Sequence, residues 1–405
     1  MKITQIASFF VLSAFLLTGC HSAAAQQTTL PTKNTQEASS ATTAATEVTD
    51  PTVQTEVTVP EETIPVSAEP EFDPASLVDQ LSIEEKVGQL FLARCPDVNA
   101  LEDAATYHLG GYILFDQDFR HRFPDEVRNV IAEFQQTAAI PMLIAADEEG
   151  GTVTRISCYE QYRHSNFPSP RKLYNQGGMT LIEETEREKC QLLSSLGVNV
   201  NMAPVCDITT DPNAFMYSRS LGQPPHTTAY FTKRLVEIMA EYQVGSVLKH
   251  FPGYGNNCDT HTGIAVDDRA LHELEAADLL PFSVGIDAGC GAILISHTFI
   301  NALDPALPAS LSPIVNDYLR QEMGFNRVTV TDDLAMQAIT DLYGTEEAAV
   351  LAILAGNDLL CSSEYQIQYS AVLDAVLSGR IPTERLDQAV CRVLQWKNQL
   401  GLIEK

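Results

Sequence analysis

Val244-Gly245-Ser246-Val247-Leu248-Lys249-His250-Phe251-Pro252-Gly253-Tyr254-Gly255 joins two patterns within twelve residues. Val244 to Leu248 is a short apolar run that reads as a buried strand. Lys249 and His250 stand at its C-terminal end, a Pro/Gly turn follows, and Asp259-Thr260-His261 comes directly after. A structural loop has little use for so many titratable groups, so the strand end is expected to hold and protonate a ligand. The same design recurs on either side. Short apolar runs occur at 87–93, 111–115, 141–146, 198–203, 246–248, 292–296, 328–331 and 358–361. Between them lie segments at 125–139, 181–196, 227–243, 273–288, 312–323 and 346–356, most with apolar residues at i, i+3 and i+4 and an end near Gly, as in Leu192, Leu193, Leu196 and then Gly197. Strands alternating with helices predict parallel pairing. Eight such repeats predict an α/β fold of the (β/α)8 TIM-barrel type in a single catalytic domain over residues 73–405; a doubly wound open sheet is the rival.

Polar residues gather at the strand ends. The third run leads into Asp147-Glu148-Glu149-Gly150-Gly151, the fourth contains Asn199 and Asn201, the fifth ends Lys249-His250, the sixth Ser296-His297 and the seventh Thr331-Asp332-Asp333. In a barrel these ends converge on one face, where active sites lie.

Each group has two readings. Asp332 after Val328-Thr329-Val330-Thr331 suits a nucleophilic carboxylate that attacks a sugar carbon, and equally a helix N-cap, a role that Asp333 also suits. Asp259 with His261 forms a base-plus-orienter pair, or two polar residues of a surface loop. Lys249 and His250 are donors to substrate hydroxyls or members of a structural ion pair. Asp147 can accept hydrogen bonds from vicinal hydroxyls, and the adjacent Glu148 raises the idea of a paired-acid, substrate-assisted glycosidase. Arg219 could bind a carbonyl or hydroxyl, or be solvated. No phosphate loop, H-E-x-x-H, G-x-S-x-G or dinucleotide fingerprint is present, so no cofactor and no metal is implied.

The N-terminus predicts a different environment. Met1-Lys2, an apolar stretch from Ile3 to Leu17, and Leu17-Thr18-Gly19-Cys20 resemble a bacterial lipoprotein signal over residues 1–19, with cleavage before Cys20 and lipidation of its thiol. An ordinary signal peptide containing a Cys is the alternative. Residues 20–72 are rich in Thr, Ala, Ser, Gln, Glu and Pro and read as a disordered, acidic tether to an extracytoplasmic domain anchored in the bacterial cell membrane. The net charge of −28 argues against nucleic acid as a partner. Cys95, Cys158, Cys190, Cys206, Cys258, Cys290, Cys361 and Cys391 are scattered with no C-x-x-C, and no disulfide pair can be named from spacing.

Taken together, Asp147 to Gly151, Gly197-Val198-Asn199, Ala203-Pro204-Val205-Cys206-Asp207, Arg219-Ser220, Lys249 to Gly255, Asp259-Thr260-His261, Leu303-Asp304-Pro305, Leu307 to Ser312 and Thr331-Asp332-Asp333-Leu334 resemble glycoside hydrolase family 3, in its β-N-acetylglucosaminidase branch. The resemblance covers residues 75–400. It implies a (β/α)8 barrel and a retaining, two-step hydrolysis. Asp332 would be the nucleophile and His261, oriented by Asp259, the general acid and then base, while Asp147, Arg219, Lys249 and His250 would hold N-acetylglucosamine. The expected substrate is a terminal N-acetylglucosamine on a peptidoglycan fragment, muropeptide or related oligosaccharide, and the expected state a monomer. The chain departs from the pattern at Tyr254, where many members have His, at Thr152, where Arg is frequent, and in a shorter 249–259 segment. Many members carry a second domain, and this chain is expected to complete its site from barrel loops alone. Two rivals keep the site: a phosphorylase, and a non-catalytic sugar-binding lipoprotein. A β-glucosidase of the wider family would give no reason for the Asp-x-His pair.

Overall fold

A computed structural model of the protein describes residues 72–255, 257 and 263–403. The lipidation site, signal and tether expected at 1–71, and the pair Asp259–His261, lie outside the described residues.

Eight short strands form one parallel sheet: β1 Phe91–Arg94, β2 Gly111–Leu114, β3 Leu143–Ala146, β4 Val200–Asn201, β5 Gly245–Phe251, β6 Ala292–Ile295, β7 Val328–Thr331 and β8 Leu360–Ser362. Each pairs with its sequence neighbour, and β1 pairs with β8 through Phe91 opposite Leu360. A bridge between Val330 and Leu359 joins β7 to β8 and brings the last two edges together. The sheet is therefore a nearly closed barrel, and the open doubly wound alternative is set aside.

Alternating side chains divide the strands between two cores. Leu92, Ile113, Leu143, Ala145, Val247, Leu294 and Val330 fill the barrel interior. Phe91, Tyr112, Ile144 and Ala146 point outward against the helices. Both sets are buried, as parallel strands covered on both faces require, and each fully buried aliphatic side chain contributes roughly 1.5–3 kcal/mol. The chain's one tryptophan, Trp396, from helix Thr383–Gln399, joins the interior set. It packs so closely on the starts of β5 and β6 that a Cβ at Gly245 or Gly291 would lie 2.8 Å and 2.2 Å from its ring, so neither position admits a side chain without displacing it.

The first expected strand, 87–93, is corrected at its start. Val87 and Gly88 end a helix, Ile83–Gly88, nucleated by a capping box between Ser82 and Glu85. The helix expected at 181–196 starts earlier, at Pro170, and breaks at Gly178, where φ is 63°. The one expected at 273–288 is two helices, Leu271–Ala276 and Leu279–Asp287. β4 is only two residues long, and just before it Asn199 bonds Ile144 and Gly245 through its backbone while its side chain accepts from the Ile144 N–H and donates to the Met142 carbonyl. Among the described residues no helix is long and apolar enough to cross a membrane, and Cys95, Cys158, Cys190, Cys206, Cys290, Cys361 and Cys391 are unpaired.

Candidate active site

The C-terminal ends of the strands open into one cavity of about 750 Å³. Its wall includes Asp147 after β3, Lys249 and His250 in β5, Arg219 from the loop after β4, and Asp332 after β7. Five of the seven catalytic and sugar-binding residues expected from sequence thus meet in one space. Ile113, Met202, Leu294 and Cys361, from the barrel interior, form its floor.

A buried carboxylate that the sequence reading left without a role organises this wall. Glu149 accepts both Nε and Nη2 of Arg219, at 3.0 and 2.7 Å, and lies 2.6 Å from Lys249 Nζ. Lys249 in turn reaches Asp147 Oδ1 at 2.7 Å. Burial alone would push the Glu149 carboxyl up, but Lys249 and Arg219 together outweigh it and hold the group well below the usual carboxylate range. Burial would likewise lower Lys249, and Asp147 and Glu149 reverse this and raise it. Glu149, Lys249 and Arg219 stay charged, and Lys249 holds Asp147 at the cavity wall.

Removing the central charge tests this arrangement. Glu149→Gln leaves two buried cations short of their partner, and breaking such a pair costs about 3–5 kcal/mol, with the near-isosteric amide expected at the lower end. Because the folded-state pKa is depressed, the stability from Glu149 is present above its ordinary value of 4.5 and is lost as pH falls below it. The variant is expected to melt earlier at neutral pH and to lose less on acidification below that value than the wild type does. Parallel melting curves from pH 7 to pH 3 in the two proteins would contradict it.

His250 is tied from behind. Its Nδ1 faces Asp207 Oδ2 at 2.7 Å, and its backbone N–H donates to the same oxygen at 3.1 Å. The other oxygen, Oδ1, accepts from the Tyr254 N–H at 2.8 Å. A carboxylate at Nδ1 places the ring proton there and leaves Nε2 to accept from Arg219 Nη2 at 3.1 Å. His250 therefore spends its acceptor on Arg219, a narrower part than the donor expected from sequence. Tyr254 packs edge-on against its ring at 5.3 Å and lines the cavity, as does Thr152.

Glu148 is excluded from the cavity. It accepts from the N–H groups of Arg155 at 3.0 Å and Ile156 at 2.9 Å and from the Ser157 hydroxyl, with no exposed surface. It anchors the loop after β3, so the paired-acid idea for Asp147 and Glu148 fails. His297 is also structural in its visible contacts, bridging Ser310 Oγ and the Asp333 carbonyl at 2.7 and 3.0 Å. Asp333 accepts from the N–H groups of Ala335 and Ser363 and from the Ser363 hydroxyl, tying the β7 loop to β8. Asp332 accepts from the Asp333 N–H at 3.0 Å and its own N–H donates to the Ile295 carbonyl.

Arg155 was missed from sequence. It follows Asp147 by eight residues, lines the cavity, and places Nη2 3.4 Å from Asp147 Oδ2. No local pattern marks it, since its role depends on a loop folding back. Among the described residues no group of three or more His, Cys, Asp or Glu side chains is arranged to hold a metal.

Comparison with known proteins now bears on this cavity. Residues 82–396 match the family described as the N-terminal domain of glycosyl hydrolase family 3. The chain belongs to that family. A β-hexosaminidase from Stenotrophomonas maltophilia strain K279a is 33% identical over 289 residues, covering 67% of this chain and 84% of the relative. The β-hexosaminidase LpqI of Mycobacterium tuberculosis is 27% identical over 337 residues, covering 80% and 85%. Among solved structures, a family 3 β-N-acetylglucosaminidase from Paenibacillus sp. str. FPU-7 superposes with a TM-score of 0.75 at 34% identity, over 80% of this chain and 64% of that longer one. LpqI superposes with a TM-score of 0.73 over 80% of this chain and 96% of its own. The family 3 branch is that of the β-hexosaminidases, and the protein is a glycoside hydrolase of that activity.

Proposed function

We propose that the protein is a retaining exo-β-N-acetylglucosaminidase acting on terminal N-acetylglucosamine of peptidoglycan fragments or related oligosaccharides. The observation that carries this reading is that Asp332 shares one cavity with the Asp147–Lys249–Glu149–Arg219 array. Asp147 and the cations around it hold the sugar's hydroxyl and acetamido groups. Asp332 attacks the anomeric carbon as the leaving oxygen takes a proton from His261, oriented by Asp259. The same imidazole then removes a proton from water, which displaces Asp332 and restores the β configuration. The relative from Paenibacillus, a family 3 β-N-acetylglucosaminidase, supports the choice of glycone.

Incubation with an aryl N-acetylglucosaminide, an aryl glucoside and muropeptides, each with and without phosphate, tests the reading. Free β-N-acetylglucosamine from the first and third, at a rate independent of phosphate, is the expected product. A glycosyl phosphate would make the protein a phosphorylase, and binding without turnover a sugar-binding protein.

The domain is proposed to be held outside the cytoplasmic membrane by lipid on Cys20, which follows the apolar N-terminal stretch. Cys20→Ser is expected to abolish metabolic labelling with fatty acid. Labelling that persists in the variant removes this assignment.

A further inference from the structure

We propose that Arg269 is a positioning residue for the acid and base steps: its guanidinium joins the two ends of the segment that carries Asp259 and His261. This rests on the glycosidase reading above, in which His261 moves the proton, and assigns what holds the ends of that segment together.

The chain leaves the cavity wall through Gly253-Tyr254-Gly255 and is back in the fold at Val266–Asp267, which pairs with Phe299–Ile300. Arg269 stands between these two ends. On the returning side its Nε donates to Asp267 Oδ1 at 3.0 Å and its Nη2 to Oδ2 at 2.6 Å. On the leaving side a Cβ at Gly255 would lie 2.7 Å from the same Nη2. The remaining nitrogen, Nη1, donates to Asp278 Oδ2 at 2.6 Å. Asp278 in turn lies behind the turn, where a Cβ at Gly253 would meet its Oδ1 at 2.8 Å. The turn approaches the pair this closely because both positions are glycine.

Electrostatics make the junction depend on Arg269. The side chains of Asp267 and Asp278 are 3% and 2% exposed, and among the described residues Arg269 is the cation paired with each. Asp278 stands directly before helix Leu279–Asp287 yet its side chain caps none of the helix N–H groups. Its Oδ1 is buried without a hydrogen-bond partner among the described residues. Burial pushes the Asp278 carboxyl up, and Arg269 offsets this only in part. Without the guanidinium, two buried carboxylates share one spot with no cation, and the ends they belong to are driven apart. A planar fork with donors on three nitrogens serves both carboxylates at once, which a lysine ammonium at the end of a flexible stem does not reproduce. Arg269 lies outside the wall around Asp332 and borders a separate cavity of about 520 Å³ with Gly255, Asn257 and Glu273.

An N-acetylglucosaminyl disaccharide and an aryl N-acetylglucosaminide, each given to Arg269→Gln, provide the test. Misplacing a reacting group by about 1 Å can cost about 10²-fold, so the rate on the disaccharide, whose leaving oxygen needs a proton, is expected to fall about 10²-fold. The aryl substrate should still release a full burst of phenol, followed by slow turnover. Affinity for free N-acetylglucosamine should be unchanged. Arg269→Lys, which keeps the charge, should lose less. Methylguanidinium added to Arg269→Ala should restore part of the disaccharide rate, because the missing head borders the second cavity. Arg269→Gln combined with His261→Ala should lose no more than His261→Ala alone, since the guanidinium acts through that imidazole. Equal losses on both substrates, a weaker affinity for the sugar, or a further loss in the double variant would make Arg269 a structural residue and overturn the proposal, as would a wild-type rate on the disaccharide. If Arg269→Gln does not fold, the same comparisons on Arg269→Lys decide. Wild-type rates in His261→Ala would overturn the acid–base assignment and the junction with it; slow turnover after the burst in His261→Ala but not in Arg269→Gln overturns the junction alone.

Discussion

Asp332→Asn is expected to leave the barrel folded and to remove nearly all activity, by roughly 10⁴-fold or more, the scale on which loss of a nucleophile registers in other enzymes. Among the described residues the side chain accepts a hydrogen bond from the Asp333 N–H at 3.0 Å, which the amide oxygen of Asn can accept as well. The backbone bond from Asp332 to Ile295 is untouched by the change. Folding should therefore shift by about 1 kcal/mol or less. What Asn cannot supply is an anionic oxygen to bond the anomeric carbon. Asp333→Asn gives the contrast. That carboxylate accepts from Ala335, from the Ser363 N–H and from the Ser363 hydroxyl. Its loss weakens the tie between β7 and β8 by about 1–3 kcal/mol while reducing turnover less completely. A mechanism-based fluorosugar should label Asp332, and the first-formed product should be the β anomer. Strong inhibition by a thiazoline with no protein adduct would point instead to the substrate's acetamido group as nucleophile, and would remove Asp332 from that role.

The strand ends were legible because parallel strands buried on both faces are short apolar runs, and a polar residue after such a run has few structural excuses. Asp147, Lys249, His250 and Asp332 were found in this way. Glu149 was hidden by the same logic. It stands two residues beyond Asp147 in a loop, and only the folded chain reveals that it turns inward onto Lys249 and Arg219. Glu148 misled for a related reason: adjacency in sequence suggested a carboxyl pair, but the backbone sends the two side chains to different environments. Arg155 matters through a loop that folds back onto Asp147, which no spacing rule marks. The break at Gly178 was missed because a glycine reversal leaves no periodic trace. The eight-fold repeat survived these local errors, because a barrel is specified by the number and order of its units more than by where each begins.

His261→Ala should cost about 10²–10⁴ in rate on a natural disaccharide, the usual contribution of a positioned general acid or base. The motive is position along the chain. The segment that carries Asp259-Thr260-His261 leaves the cavity wall at Tyr254, whose N–H donates to the same Asp207 carboxylate that orients His250. It rejoins the described fold by Ala265, whose carbonyl accepts from the Phe299 N–H at 2.9 Å. This segment, whose described start lies four residues after His250, is proposed to supply the imidazole for a sugar held by Asp147. An aryl leaving group departs with little protonation, so His261→Ala should slow its glycosylation step much less than that of a sugar leaving group. The second step needs the base whatever has left, so an aryl substrate should show a burst of released phenol followed by slow turnover. Asp259→Asn should cost less than His261→Ala, because the ring keeps its titrating nitrogen and loses only the acceptor that orients it, with the affinity for substrate little changed in both and KM on the aryl substrate lowered as the glycosyl-enzyme accumulates. The two changes should not add when combined, since they disable one unit. Additive losses would mean that Asp259 and His261 act separately, and wild-type rates in both variants on a natural disaccharide would place the acid and base elsewhere on the cavity wall.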